Sequence, residues 1–203
     1  MLKLPYRHIT PLFASLFVLL AAACGDDSRD LDPYVSTENP RETLTELDYG
    51  NLDSSQIRLN LPWSRNKVSR DPDPDAEPAT LTAVTTETFE GYDRVVFTFG
   101  DRIPGYLLTY VAEGGGGCDG TEPAGDAPVH LVVEFEKARS NEGGAPLVED
   151  RDRTIESPTL VGASQVCDEG DRVRWILGAG SEAEYRILEM LGSPRLVVDL
   201  RHQ

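Results

Sequence analysis

Short runs of alternating apolar and polar side chains constrain the fold of this chain more than any other feature. In the clearest run, Val95, Phe97 and Phe99 form one apolar row. A period of two residues places such a row on one face of a β-strand. Turn-forming residues interrupt the run at 100–105, and a second alternating row begins at Tyr106. The pattern predicts two antiparallel strands joined by a short connection.

Similar runs recur through the C-terminal two thirds of the chain. The predicted strands cover 80–87, 92–99, 106–110, 129–136, 160–166, 172–177, 185–191 and 195–200. No long helical period competes, and only 181–191 could instead form a short helix. The pattern predicts an all-β sandwich or barrel. Of the two we expect an antiparallel β-sandwich of about seven to eight short strands.

The N-terminus has the features of an export signal. Lys3 and Arg7 give a positive start, residues 12–23 are apolar or small, and Cys24 follows directly. As a helix this run spans about 18 Å, less than the roughly 30 Å hydrocarbon core of a bilayer, so a signal peptide fits better than a membrane span. Ala21-Ala22-Ala23-Cys24 resembles the lipobox of bacterial lipoproteins. The alternative is an ordinary signal peptide with a coincidental cysteine.

The lipobox resemblance implies that residues 1–23 are a lipoprotein signal peptide and that Cys24 carries the lipid. Two or more acyl chains anchor a protein stably, whereas one binds a membrane only marginally. We therefore expect a protein of the cell envelope, attached to a membrane outside the cytoplasm. In a diderm cell Gly25 after the cysteine favours the outer membrane, and in a monoderm cell the site is the outer face of the cell membrane.

Residues 24–78 are predicted to form an acidic, largely disordered tether. Most of this stretch is polar and cannot bury enough apolar area to offset the entropy of ordering. One run within it alternates Ile57, Leu59 and Leu61 and could add an edge strand to the following domain. Pro62 would end that strand.

The composition excludes some partners. Lys and Arg number 19 against 35 Asp and Glu, and the formal net charge is −16 at pH 7. A surface this acidic repels phosphate backbones, so we expect no nucleic-acid partner. The glycines at 114–117 are not followed by Gly-Lys-Ser/Thr, so the sequence indicates no phosphate-binding loop, and no cofactor is expected.

Two cysteines remain after Cys24. Cys118 and Cys167 form an even pair in a chain that carries an export signal, which predicts a disulfide. Closing a loop of about 50 residues would stabilise the fold by about 4 kcal/mol in the chain-entropy model, less any strain. These cysteines and the histidines His130 and His202 show no metal-ligand spacing, so we expect no metal site.

Three ordered pieces of sequence resemble a known family. They are Tyr92-Asp93-Arg94-Val95-Val96-Phe97, Pro104-Gly105-Tyr106 and Pro194-Arg195-Leu196-Val197-Val198-Asp199. With their surroundings they make residues 79–203 similar to the AMIN-like domain, a β-sandwich relative of the AMIN domain of bacterial envelope proteins. The resemblance implies a non-catalytic module that binds peptidoglycan or another envelope partner. It also implies a His three residues before Tyr-Asp-Arg, where this chain has Phe89.

Five residues are candidates for ligand binding. Tyr92, Tyr106 and Trp175 could stack on sugar rings if they are exposed. The alternative, favoured by their positions in alternating strands, is that most of these aromatics fill the core. Arg94 or Arg195 could meet a carboxylate of a peptide stem.

Arg94 and Asp199 are also a candidate ion pair. Both occupy outward positions of predicted strands, where opposite charges can meet across a strand pair. At an exposed site such a pair is worth about 0 to 1 kcal/mol.

Two functional classes stay open at this point. A glycan-binding module predicts a row of exposed aromatics across one sheet. A protein-interaction module within an envelope complex predicts an apolar patch or an open strand edge such as 185–191. An enzyme would require a pocket with convergent acids or His130. We expect no catalytic residues, because the chain has no Gly-x-Ser-x-Gly elbow and its many carboxylates nominate no particular acid and base.

Overall fold

The computed structural model describes residues 49–112, 115–120, 122–123 and 126–203. The predicted signal peptide, the predicted lipidation site Cys24 and the predicted tether up to 48 lie outside the described residues. A 3₁₀-helix, Ser54–Gln56, comes first. The strands are β1 (Ile57–Asn60), β2 (Val68–Arg70), β3 (Ala79–Phe89), β4 (Tyr92–Phe99), β5 (Gly105–Val111), β6 (Gly115–Gly116), β7 (Glu122–Pro123), β8 (Val129–Glu136), β9 (Ala138–Arg139), β10 (Asn141–Glu142), β11 (Ala145–Pro146), β12 (Asp152–Thr154), β13 (Leu160–Glu169), β14 (Arg172–Ala179), β15 (Tyr185–Met190) and β16 (Arg195–Arg201).

Two six-stranded sheets form the body of the fold. The first has the order β1-β15-β16-β4-β3-β9 and the second β12-β13-β14-β8-β5-β2. Neighbours are antiparallel except for the short pair β3 and β9. The predicted all-β sandwich is confirmed, and eight described strands of six residues or more lie at the predicted places. The region 181–191 contains β15 and not a helix.

The hydrophobic core lies between the two sheets. The rows predicted to face inward do so, including Phe97 on β4 and Leu196 on β16, both fully buried. The Phe97 ring meets Phe135 and Trp175 edge-on, with centroids 5.1 and 6.0 Å away. Burying one such side chain contributes about 1.5 to 3 kcal/mol, so packing between the sheets is the main stabilising term.

The segment 57–70 closes one side of the sandwich. Its β1 pairs with β15 of the first sheet, and its β2 pairs with β5 of the second. The prediction of a disordered tether is therefore corrected for 49–78, which belongs to the same compact unit as the rest of the described chain. Leu61 and Val68 are too few to form a core of their own. They become ordered because they pack against the core that the two sheets already form. The strand edge 185–191, a candidate docking edge, is covered by β1.

Glu189 ties this segment to both sheets. Its buried carboxylate accepts hydrogen bonds from the Tyr106 hydroxyl at 2.8 Å and from Arg70 Nη1 at 3.1 Å. Arg58 Nε lies 3.9 Å from the same carboxylate. Burial, together with the hydrogen bond to Glu189, raises the pKa of Tyr106. Four strands, β1, β2, β5 and β15, thus meet at one carboxylate.

The described residues include no helix with the length and apolar character that a membrane crossing needs.

Candidate functional site

The outer face of the first sheet is closed by residues 49–63. Tyr49, Leu52 and Ile57 pack on an apolar cluster on this face. The buried members of that cluster are Val96, Leu188, Met190 and Val197. The covering segment therefore removes a hydrophobic surface from solvent.

A buried ion pair lies on the same face. Arg94 on β4 donates two hydrogen bonds to Asp199 on β16, at 2.7 and 2.9 Å, and both side chains are fully buried. Arg186 Nε donates to the same carboxylate at 2.7 Å. The predicted pair is confirmed, but the predicted exposure is wrong. It is wrong because residues 49–63 and a cluster of aromatic rings cover the pair.

Phe89 and Tyr92 belong to that aromatic cover. Their rings stack with centroids 5.0 Å apart, and the Arg94 guanidinium lies 4.9 Å from the Phe89 centroid. A guanidinium over an aromatic face is attracted by the ring quadrupole. Phe89 therefore helps to bury the cation, which a His at this position would do less well because it is more polar.

Asp93 points to the opposite side of β4 and binds a turn of the chain. Its Oδ2 accepts hydrogen bonds from the Ser157 hydroxyl and from the backbone N–H groups of Thr159 and Leu160, and Oδ1 lies 3.0 Å from His202 Nε2. Burial alone would raise the pKa of Asp93, but these hydrogen bonds outweigh it, so the pKa is lowered.

The outer face of the second sheet differs, because a cleft of about 510 Å³ opens on it. Its walls come from β8, β12, β13, β14 and the residues 126–128 that precede β8. The polar residues that line it are Asp126, His130, Asp152, Arg153, Thr154 and Ser164. No aromatic side chain other than the imidazole lines it among the described residues.

Two glycines shape the floor of the cleft. A Cβ on Gly178 would lie 2.8 Å from the Ala127 Cβ, so only glycine lets the wall at 126–128 come this close. A Cβ on Gly162 would lie 3.2 Å from the carbonyl oxygen of Arg153. The floor is consequently flat there and leaves room beside the polar side chains.

His130 is the unusual member of the lining. It is 7% exposed, and neither ring nitrogen has a hydrogen-bond partner in the described structure. Ser164 Oγ donates to Asp152 Oδ1 at 2.6 Å, and no hydrogen bond joins it to the imidazole. A buried polar atom without a partner costs about 1 to 3 kcal/mol, which a ligand group that both donates and accepts can recover.

The predicted disulfide is confirmed and clamps a loop beside the cleft. Cys118 is bonded to Cys167 on β13. Arg174, which pairs with Glu134, donates through Nη1 to the carbonyl oxygen of Gly117 at 2.8 Å. Residues 115–120, which we call the clamped loop, thus cover the part of the second outer face next to the cleft. Among the described residues, no group of three or more His, Cys, Asp or Glu is arranged to hold a metal ion.

The sequence profile of the AMIN-like domain matches residues 79–202, which is more than half of the chain. The chain belongs to the AMIN-like domain family. This membership supports a location in the cell envelope and a role as an envelope-associated binding module. No curated protein and no solved structure gives a significant match.

The motif residues of this AMIN-like domain have structural roles here. Arg94 and Asp199 join two strands by the buried ion pair, and Asp93 binds the turn at 157–160. Tyr92 is 4% exposed in the aromatic cover. The motifs that carry the resemblance therefore stabilise the fold and do not line the cleft.

The predicted binding residues do not form one site in the AMIN-like domain. Tyr106 is 4% exposed and Trp175 is fully buried, so neither presents a ring face to a sugar. Tyr92 and Arg94 are buried together on the first outer face. Tyr106 and Trp175 face the core and Tyr92 is buried in the aromatic cover, so these three residues form no row of exposed aromatics. Arg195 is partly exposed and lies at the end of the sandwich where β16 begins.

Sequence reasoning missed most of the cleft. Sequence patterns bring His130 forward only under the enzyme and metal-site alternatives, and they indicate nothing for Asp126, Asp152 and Ser164. One usable signal was a polar His at an outward position of an apolar strand. The register that sets His130 beside Gly178, and Asp152 beside Ser164, could not be obtained from one sequence.

Proposed function

We propose that this protein is a lipid-anchored envelope module that binds peptidoglycan, or another envelope glycan, in the cleft and catalyses no reaction on it. Its family supports the envelope location, and the lipobox-like sequence ending at Cys24 supports the anchor. The cleft on the second outer face supports the binding role.

One observation carries the binding proposal, namely the unpartnered buried imidazole of His130 in an open polar cleft. A neutral imidazole has one donor and one acceptor, and a sugar hydroxyl offers the same pair. Asp126 and Asp152 add carboxylate acceptors for further hydroxyl or amide N–H groups. The volume of about 510 Å³ lies within the range of small-ligand sites. The ligand is therefore held by hydrogen bonds and not by stacking on aromatic rings.

The same cleft contains a serine, a histidine and an aspartate, the three residue types of a hydrolytic triad. A nucleophilic hydroxyl must lie within hydrogen-bond reach of its base. The Ser164 hydroxyl donates instead to Asp152, and the imidazole of His130 has no partner in the described structure. This arrangement supports binding without turnover.

Co-sedimentation with insoluble peptidoglycan tests the binding proposal. The soluble chain from Gly25 onward is mixed with purified sacculi at low and at physiological salt. We expect retention at both, because hydrogen bonds in a cleft are less screened than long-range charge attraction. Asp152→Asn and His130→Gln are each expected to weaken retention about tenfold, the effect of one or two lost hydrogen bonds.

Glu142→Gln is the matched control, because Glu142 is an exposed carboxylate on the hairpin β10-β11 outside the cleft lining. It should bind as the unchanged chain does. No retention of the unchanged chain, or equal retention of all variants, would contradict the proposal. Release of soluble muropeptides during the assay would contradict its non-catalytic part.

The anchor has its own test in a bacterial host. Cys24→Ser should move the full chain from the membrane fraction to the soluble one and abolish labelling by a radioactive fatty acid. Ser28→Ala, a change close by that leaves the cysteine intact, should do neither. Membrane association that survives the loss of Cys24 would contradict lipid anchoring.

A further inference from the structure

A second concave site lies at one end of the sandwich, away from the cleft. It is a groove of about 160 Å³. The residues that line it are Arg58, Arg70, Asp101, Arg102, Ile103, Met190, Leu191 and Pro194. Leu191 is 57% exposed and is the exposed large hydrophobic residue of the described chain. An exposed leucine beside three arginines is notable in a protein of net charge −16.

The three arginines of the groove are incompletely neutralised. Arg58 and Arg70 share the single carboxylate of Glu189. Arg102 pairs through Nη1 with Asp101 at 2.7 Å, and its Nη2 is buried without a hydrogen-bond partner in the described structure. The groove therefore retains positive charge and at least one unused donor.

Arg195 adds a fourth cation next to the groove. It follows Pro194 directly, and Met190 is its cross-strand neighbour. No described residue forms a hydrogen bond or ion pair with its guanidinium, and its Nε is buried. Guanidinium groups bind carboxylates with paired, charge-assisted hydrogen bonds, so an unpaired one at a groove favours an acidic ligand.

We propose that this groove docks an acidic segment of a partner protein, with one apolar side chain in the groove beside Leu191 and carboxylates on Arg102 and Arg195. The volume fits one or two side chains and is too small for a folded surface. A peptide experiences mainly the local positive charge. An anionic membrane surface would meet the acidic remainder of the chain and be repelled.

Fluorescence anisotropy tests this with a labelled peptide, Glu-Asp-Leu-Asp-Glu, and the soluble chain from Gly25 onward. The charged peptide should bind at least about tenfold more tightly than Gln-Asn-Leu-Asn-Gln, because the guanidinium groups need carboxylates. It should also bind more tightly than Glu-Asp-Ala-Asp-Glu, because alanine leaves the apolar groove unfilled.

Variants of the protein distinguish peptide binding in the groove from a general effect of positive charge on the surface. Arg195→Gln and Arg102→Gln should each weaken peptide binding about tenfold. Arg151→Gln, which removes an exposed arginine outside the groove lining, should leave it unchanged. Leu191→Ser should weaken binding while the protein stays folded, since this side chain is 57% exposed.

Three results would overturn the proposal. One is equal binding of the charged and uncharged peptides. Another is a loss of peptide binding with Arg151→Gln that equals the loss with Arg195→Gln or Arg102→Gln. The third is displacement of the peptide by phosphatidylglycerol vesicles, which would assign the groove to lipid. The cleft variants Asp152→Asn and His130→Gln should leave peptide binding intact, so failure here is distinguishable from failure of sacculus binding.

Discussion

The two outer faces of the sandwich are covered by different means. Residues 49–63 close the first face, over a buried ion pair and a small apolar cluster. The clamped loop covers only part of the second face, and the remainder is the cleft around His130. The face that is only partly covered is the one on which the unpartnered imidazole of His130 lies. The proposed binding site therefore lies where the chain leaves a sheet incompletely covered.

The largest effect is expected from removing the charge at the centre of the first face. Asp199→Asn leaves Arg94 and Arg186 against a neutral amide in a buried site. Breaking a buried ion pair from one side costs about 3 to 5 kcal/mol, so the unfolding free energy should fall by that amount in a urea titration. Glu142→Gln, at an exposed site, should change it by less than about 0.5 kcal/mol. A similarly small loss for Asp199→Asn would show that the first face does not depend on this cluster.

The second face should respond to loss of its covalent clamp. The double change Cys118→Ser and Cys167→Ser removes a link across 49 residues and should lower the unfolding free energy by about 2 to 4 kcal/mol. Differential scanning calorimetry, with the oxidised unchanged chain as reference, measures the loss. If the double variant kept both its melting temperature and its sacculus binding, the clamp would be irrelevant to fold and cleft alike.

Asp93 gives a comparison that depends on pH. The pKa of Asp93 is lowered in the folded state. Its contribution to the free energy of unfolding is therefore fully present above the ordinary Asp pKa of 3.8 and is lost as the pH falls through the pKa of the folded state. Asp93→Asn should therefore lower stability by about 1 to 3 kcal/mol at pH 7 and flatten the acid limb of the stability curve. Denaturation midpoints from pH 7 down to 2.5 provide the measurement. An unchanged acid limb would mean that another carboxylate determines it.

The smallest effect is expected at an ion pair beside the second sheet whose carboxylate is exposed. Asp150 and Arg153 lie 3.4 Å apart, and the Asp150 side chain is 67% exposed. Asp150→Asn should cost no more than about 1 kcal/mol, because solvent screens such pairs and the backbone carbonyl still accepts from Arg153. A loss as large as that of Asp199→Asn would show that burial does not determine how much these ion pairs contribute to the free energy of unfolding.

The sequence predicted the sandwich because strand periodicity is local. Val95, Phe97 and Phe99 carry their inward direction in their spacing alone. The same local reasoning placed Arg94 outward but could not tell that 49–63 would cover it, because coverage depends on contacts between distant parts of the chain. Disulfide pairing was predictable since only two cysteines remained after Cys24.

The cleft was less predictable than the fold. Its members come from β8, β12, β13 and β14, and only the register between strands brings His130, Asp152 and Ser164 to one face. Composition marked 24–78 as a tether, yet two of its short segments pair with sheet edges. Four residues of weak strand preference suffice when a complete partner strand is already present.

The pairing of 57–70 with both sheets also has a consequence for the order of folding. These strands are synthesised early, but Glu189, the carboxylate that binds Arg70, follows 119 residues later. The first sheet's β15 edge cannot be closed until almost the whole chain is available. Folding of this domain should accordingly be slow and end with the N-terminal strands, and the open sheet edges should be most prone to aggregation in that interval.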